Sequence, residues 1–388
     1  MTASGAATAS ASSAPGVAVA FADWWSSVDR VALAAMSALL AAGLLCSMAA
    51  SPSAADRFGI DAPFWFVMRQ AVFAAASLGA IVVTSMFDPT RARRLAILAL
   101  LACFVLLLIT LFAGSETNAA KRWIRFGGYS LQPSEFAKPA FVVTAAWLLA
   151  RGRETGAFAG AAIACAMLFA ALATLLLLQP DFGQTVLLAG VLLGLTFLSG
   201  APARVLAGLG ALGGGIAAAA YFTQPHVAAR VQAFFAPEPG YQTGLALEAI
   251  ARGGLFGVGP GEGTVKHALP DAHTDFIFAV AAEEFGLLFT LGLIGLIGLV
   301  VVRILVRAAG ERDEVRRLAA GGLALMIGAQ ALINLAVNLN LIPPKGMTLP
   351  FVSYGGSSLL ALGLTGGLAL AFTRRDPDRM PEGAGDAR

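Results

Sequence analysis

Long apolar runs follow one another along this chain, separated by short polar breaks. A helix needs about 20 such residues to cross the hydrocarbon core of a bilayer. Ten segments reach or approach that length: 31–50, 64–87, 94–114, 135–151, 157–178, 183–199, 203–223, 275–302, 318–342 and 355–373. The pattern predicts an all-α polytopic membrane protein whose helices satisfy their own backbone hydrogen bonds in lipid. Two of the breaks are long. One, 224–274, lies between the seventh and eighth spans, and 115–134 precedes the fourth; connections of that size are usually functional. Residues 1–23 are rich in Ala, Ser and Thr, carry no Lys or Arg, and read as a disordered tail without a signal peptide. Residues 376–388, with mixed charges, read as a second tail, leaving 24–375 as one transmembrane domain.

Composition reinforces that reading. Hydrophobic residues make up 58% of the 388 and charged residues 13%, against about 25% charged in an ordinary soluble domain. In water such a chain would expose large apolar patches, which excludes a cytosolic enzyme, a nucleic-acid binder and a secreted domain. Cys46, Cys103 and Cys165 lie within apolar runs without metal-ligand or disulfide spacing and read as small buried hydrophobes.

The net charge of +3 matters less than where the charges fall. Ten spans put both termini on one side, and the arginines concentrate on that side, which the positive-inside rule makes cytoplasmic. All four lysines, Lys121, Lys138, Lys266 and Lys345, fall on the outer side. Lys121, Arg122, Arg125 and Lys138 crowd one loop and the helix after it, as expected for an anionic ligand handled at the outer face.

Three clusters can carry chemistry there. His273-Thr274-Asp275-Phe276 puts a carboxylate where the long loop enters the eighth span. Asp275 is either an N-cap or a reactive group above a stripe formed by Ala279, Ala282 and Gly286. Glu283 and Glu284 lie deeper in the same span, where a charge costs about 2.5–3.5 kcal/mol unless it is paired, protonated or wet. Gln132-Pro133-Ser134-Glu135 with Lys138 opens the fourth span as either a local ion pair or part of a phosphate site. The third cluster runs from Pro343 to Ser358, includes Lys345 and Ser353, and reads as a rigid turn that lines a cavity or packs in protein. Gln330, Asn334 and Asn338 form a polar ridge leading to it, and Asp181 marks the tight turn between spans five and six. Arg69, within the second span, is expected to pair with a buried acid. No repeat or matching pair of broken helices points to an inverted-repeat transporter.

Taken together, Lys121-Arg122-Trp123-Ile124, QPSEFAKP (132–139), QPDFGQ (179–184), HTDFIFAVAAEE (273–284) and PPKGMTLPFVSYGGSS (343–358) resemble the SEDS family of lipid-linked peptidoglycan glycosyltransferases. The resemblance covers about residues 30–375. The lysine of PPKGMTLPF is similar to the division and sporulation branches and unlike the elongation branch. Leu245, Pro260, Ala336 and Asn340 depart from the family's usual residues, all outside the Asp275 motif.

The resemblance implies polymerisation of lipid II, a disaccharide-pentapeptide on undecaprenyl pyrophosphate, into β-1,4 glycan at the outer face of the bacterial inner membrane, at the division septum. Asp275 is then the catalytic base. Lys138, Arg122 and Lys345 stabilise the leaving pyrophosphate, and Lys121, Gln132, Glu135, Asp181 and Ser353 complete the substrate site. A divalent cation, Mg2+ or Mn2+, is a possible cofactor. The implied partners are a class B penicillin-binding transpeptidase and other membrane proteins of the division machinery. The alternatives are an elongation-type polymerase and a transporter that flips lipid II along a path lined by Arg69, Glu283 and Glu284.

Overall fold

The computed structural model describes residues 17–117, 120–127, 129–236 and 240–375. Each of the ten apolar segments is a helix. The first seven are α2 (Arg30–Arg57), α3 (Trp65–Ser85), α4 (Pro89–Ala113), α5 (Pro133–Glu154), α6 (Phe158–Leu178), α7 (Phe182–Leu198) and α8 (Ala203–Thr223). The last three are α12 (Ile277–Ala309), α13 (Glu314–Asn338) and α14 (Gly356–Thr373). Between the two groups the long connection carries α9 (Pro225–Phe234), α10 (Tyr241–Gly253) and the single turn α11 (Val265–Ala268). Among the described residues, eight helices are long and apolar enough to cross a membrane.

The two spans that do not meet that measure are α5 and α7. Helix α7 has 17 residues, and α5 opens on the polar turn Pro133–Lys138. That polarity is tolerated because α5 is surrounded by α4, α6, α7, α13 and α14 and does not depend on lipid contact. At the other extreme is α8, of which only Ala220 is buried.

Three features differ from the sequence expectation. First, residues 17–23, read as part of a tail, belong to helix α1 (Val17–Ser27). Trp24 is buried in the core and its indole donates to Ser85 Oγ at 2.9 Å. The next residue but four, Asp29, caps α2 and takes Arg303 and Arg307 of α12 at 2.8 and 2.7 Å. Residues 1–16 and 376–388, the rest of the two expected tails, lie outside the described residues.

Second, the loop before α5 folds as an antiparallel sheet, β1 (Ser115–Thr117), β2 (Ala120–Phe126) and β3 (Tyr129–Leu131), in that order. Ser115 pairs with Trp123 and Ile124 with Leu131. Ser357 at the start of α14 fastens the sheet: its hydroxyl donates to Ser130 O at 2.9 Å and accepts from Gln132 N at 3.1 Å.

Third, α12 is broken at Gly286, whose φ of 81° and ψ of −178° lie in a region open essentially to glycine alone. The expected stripe Ala279–Ala282–Gly286 therefore ends at the break. The carbonyls of Glu283 and Glu284 accept instead from Val258 N at 2.9 Å and Gly259 N at 3.1 Å. In return Leu287 N and Leu288 N donate to Gly254 O and Leu255 O. Irregular backbone at membrane depth persists only where protein satisfies it. Here the glycine-rich stretch after α10 does so.

Candidate active site

The turn 271–276 delivers Asp275 to a cavity of about 440 Å³ at the end of the helix bundle where the long connection lies. Helix α12 has no side-chain cap at its start, so the N-cap reading of Asp275 does not hold. The main chain of Asp275 is gripped instead. Asn334 Nδ2 and Asn338 Nδ2 donate to its carbonyl at 2.8 and 3.1 Å, and Asn338 Oδ1 accepts from Ala279 N at 3.3 Å. The polar ridge on α13 thus orients the acid from behind while its carboxylate faces the cavity. Gly346 leaves room opposite: a Cβ there would stand 3.3 Å from Asp275 Oδ2.

The same cavity is lined by Arg69, Arg122, Arg230 and Lys345 and by two further acids, Asp271 and Glu135. Burial pushes the Asp275 carboxyl up to about 7; the charge of Asp271 adds to the rise, and Arg230 and Arg122 oppose it. Burial also raises Asp271, against the pull of Arg57. It lowers the Lys345 ammonium, and the charge of Arg230 lowers it further. Four cations thus surround a carboxyl poised between its two forms at neutral pH, the balance required of a general base.

Arg122 is fixed by β2. Its guanidinium donates to Gln179 O at 2.9 Å and to Pro180 O, and lies 3.7 Å from Asp181. Gln132 Nε2 reaches the same Asp181 at 3.4 Å. Lys345 sits over the ring of Phe182 at 5.1 Å. Arg69 stands one turn into α3 with its guanidinium 4.7 Å from the Trp65 ring and 5.2 Å from the Tyr129 ring.

Of the other expected site residues, Gln132 and Glu135 line the cavity, whereas Lys138 and Ser353 build the wall behind it. Lys138 is buried, ion-paired to Glu135 at 2.9 Å, and donates to Gln330 Oε1 at 3.0 Å. Gln330 Nε2 in turn holds Thr348 O at 3.0 Å, and Gln184 Nε2 holds Glu135 Oε1 at 2.7 Å. Ser353 Oγ accepts from Leu349 N at 2.7 Å and closes the turn before α14. Lys121 pairs with Glu116 across β1 and β2, and its side chain lies outside the described part. Arg230 and Asp271 escaped the sequence reading because they are separated by 41 positions with no local spacing to connect them. The only signal was that Arg230 is an unexplained charge in the long loop.

Glu283 and Glu284 are fully engaged with the long connection. Glu283 accepts from Thr264 N, Val265 N and Lys266 N at 2.8, 2.9 and 3.2 Å and so caps α11. Glu284 is ion-paired to buried Lys266 and accepts from Gly261 N at 3.0 Å. Acids used in this way do not line a transport path. Among the described residues no group of three or more His, Cys, Asp or Glu converges to hold a metal. Beside Asp275 the neighbours are mostly cations, so the residues do not fit a resident divalent ion.

Residues 30–376 match the model of the FtsW/RodA/SpoVE family, described as cell cycle proteins, and the chain belongs to that family. It is 48% identical to the probable peptidoglycan glycosyltransferase FtsW of Caulobacter vibrioides, over 91% of each chain. The FtsW of the same description from Halothiobacillus neapolitanus is 37% identical, over 86% of this chain and 83% of that one. Among solved structures, a chain of a peptidoglycan synthase complex that coordinates polymerization and crosslinking superposes with a TM-score of 0.72. Its identity is 29%, over 89% of this chain and 97% of that one. The rod shape determining protein RodA of Thermus thermophilus superposes at 0.64, also at 29% identity, over 90% and 97%.

Proposed function

We propose that this multi-pass membrane protein is a peptidoglycan glycosyltransferase of the FtsW type that polymerises lipid II at the outer face of the cytoplasmic membrane. The observation that carries the reading is the placement of Asp275, clamped by its carbonyl to Asn334 and Asn338 and facing a cavity ringed by Arg69, Arg122, Arg230 and Lys345. The acceptor 4-hydroxyl attacks the anomeric carbon of the donor, and Asp275 takes its proton. The bond from that carbon to the pyrophosphate oxygen breaks, and the pyrophosphate leaves with the electron pair. Negative charge gathers on it in the transition state, where Arg122, Arg230 and Lys345 stabilise it through preorganised contacts. An α-linked donor and a β-linked product mean inversion, so a single carboxylate suffices and no glycosyl-enzyme forms.

Lys138, Glu135, Gln132, Asp181 and Ser353 serve this site by holding its walls, and Lys121, beside Arg122 in β2, is a further proposed pyrophosphate contact. The likeness to a chain of a peptidoglycan synthase complex supports a class B penicillin-binding transpeptidase as partner. FtsW relatives support a place at the division septum, and the distribution of arginines supports cytoplasmic termini. The test is to incubate the detergent-solubilised protein and its partner with lipid II. Detergent abolishes sidedness, so glycan polymer there comes from catalysis and not from flipping, and its absence would overturn the reading.

A further inference from the structure

A second cavity, of about 450 Å³, adjoins the first. Arg230, Gln242 and Asp271 line both and form the partition between them. On the far side the walls are the outer end of α2, with Ser53, Arg57 and Phe58, and the segment 266–273. The partition is a built structure. Asp271 has a φ of 52°, and its carbonyl accepts from Thr274 N at 3.0 Å and Phe276 N at 3.3 Å, so the turn that separates the cavities is the one that presents Asp275.

The chemistry of the far wall is specific. Phe58, 60% exposed, offers an aromatic face beside His273, whose ring lies 6.0 Å away edge-on. Burial, with Arg57 adding, pushes the His273 imidazole down to about 4, so it is neutral at physiological pH and can both donate and accept. Arg57 is anchored by one bond, to His267 O at 2.9 Å, and is otherwise exposed. Lys266 is already committed to Glu284. With Arg230 serving the pyrophosphate, Arg57 is the cation this far wall offers a ligand, beside a polar and aromatic surface.

The glycosyl transfer proposed above needs two saccharides at once, and each cavity has the volume of one ordinary ligand site, within the range of about 300–1,000 Å³. Asp275 and the pyrophosphate-binding cations lie in the first. The geometry points to the second cavity as the acceptor subsite, which takes an anionic amino-sugar glycan end and passes its 4-hydroxyl across the partition to Asp275. This rests on the polymerase reading. The nucleophile then arrives from the second cavity past the Asp271 turn, while Arg230, which lines both cavities, stays with Arg122 and Lys345 at the leaving group.

The two roles can be separated with substrates that play only one. Lipid II methylated at the 4-hydroxyl is a donor only; a lipid II analogue with a phosphonate at the anomeric position is an acceptor only. With the full chain and its partner in detergent, single-disaccharide transfer is followed by mass spectrometry while each substrate is varied. Arg57→Ala should raise KM for the acceptor about tenfold, as for a lost charged hydrogen bond, and leave KM for the donor within about twofold. Arg57→Lys should recover part of the loss. Phe58→Ala, which removes the aromatic wall and leaves every charge in place, should act in the same direction. Equal effects on both substrates, an effect on the donor alone, or none in either variant would overturn the assignment. Absence of transfer by the parent protein would instead overturn the polymerase reading on which it stands.

Discussion

Asp275 is held by its carbonyl oxygen and not by its carboxylate, so the amide variant should keep the scaffold intact. Asp275→Asn is expected to melt within a degree or two of the parent protein, yet to lose about 10²–10⁴ in polymerisation rate, as measured on lipid II in detergent. The pH dependence follows from the same carboxyl. Its ordinary value is 3.8 and its value in the fold is about 7, so the base is protonated below neutrality and ionised above it. Polymerisation should therefore climb with pH through about 7, falling about tenfold per unit on the acid side. Arg230 favours the ionised form, so Arg230→Gln should move that acid limb to higher pH in addition to lowering the maximum. Asp275 was legible in the sequence because its motif is contiguous. Arg230 and Asp271 were not, because 41 positions separate them and only the folded chain brings both to the same cavity walls. Of the two readings of Lys138, the fold shows the local ion pair; an i,i+3 pair with Glu135 reads the same in sequence whether it faces a cavity or lies buried behind one.

At the scale of elements, the ten helices were readable from hydropathy because each carries a long apolar run, turned to lipid in most and, in α5, to the neighbouring helices. The sheet was not readable, since strands of 3, 7 and 3 residues offer too little alternation to distinguish them from a loop. The break in α12 was also hidden, because glycine within an apolar run looks like any other small residue. Its significance lies in the exchange of hydrogen bonds with residues 254–259. Gly286→Ala should cost about 1–3 kcal/mol from backbone strain alone, and any Cβ there would also meet the backbone around Gly257. Thermal melting in detergent measures the loss, and limited proteolysis should show the stretch 254–266 cut earlier than in the parent. Glu284→Gln tests the other anchor. It leaves Lys266 buried without its counter-charge, for which about 3–5 kcal/mol of destabilisation is expected from chemical melting. A neutral result would mean that Lys266 finds sufficient compensation in Ala49 O, 3.0 Å away.

Across the whole molecule, packing is uneven. One continuous core runs from Trp24 to Phe372, with α5 inside it, whereas α8 has a single buried residue and leads directly into α9 through Gln224. Backbone exchange in deuterated buffer should therefore be slowest in α5 and α13 and fastest across 203–234, since opening follows the density of buried contacts. Equal protection of α8 and α5 would contradict that ordering. The loose helix has a mechanical corollary. Arg230 rides on the segment that α8 supports, while Asp275 is bolted to α13 by two asparagines. The site is thus compliant on one side and stiff on the other. Displacing α8 from the lipid side would retune the acidity of Asp275 through Arg230 without touching the acid itself.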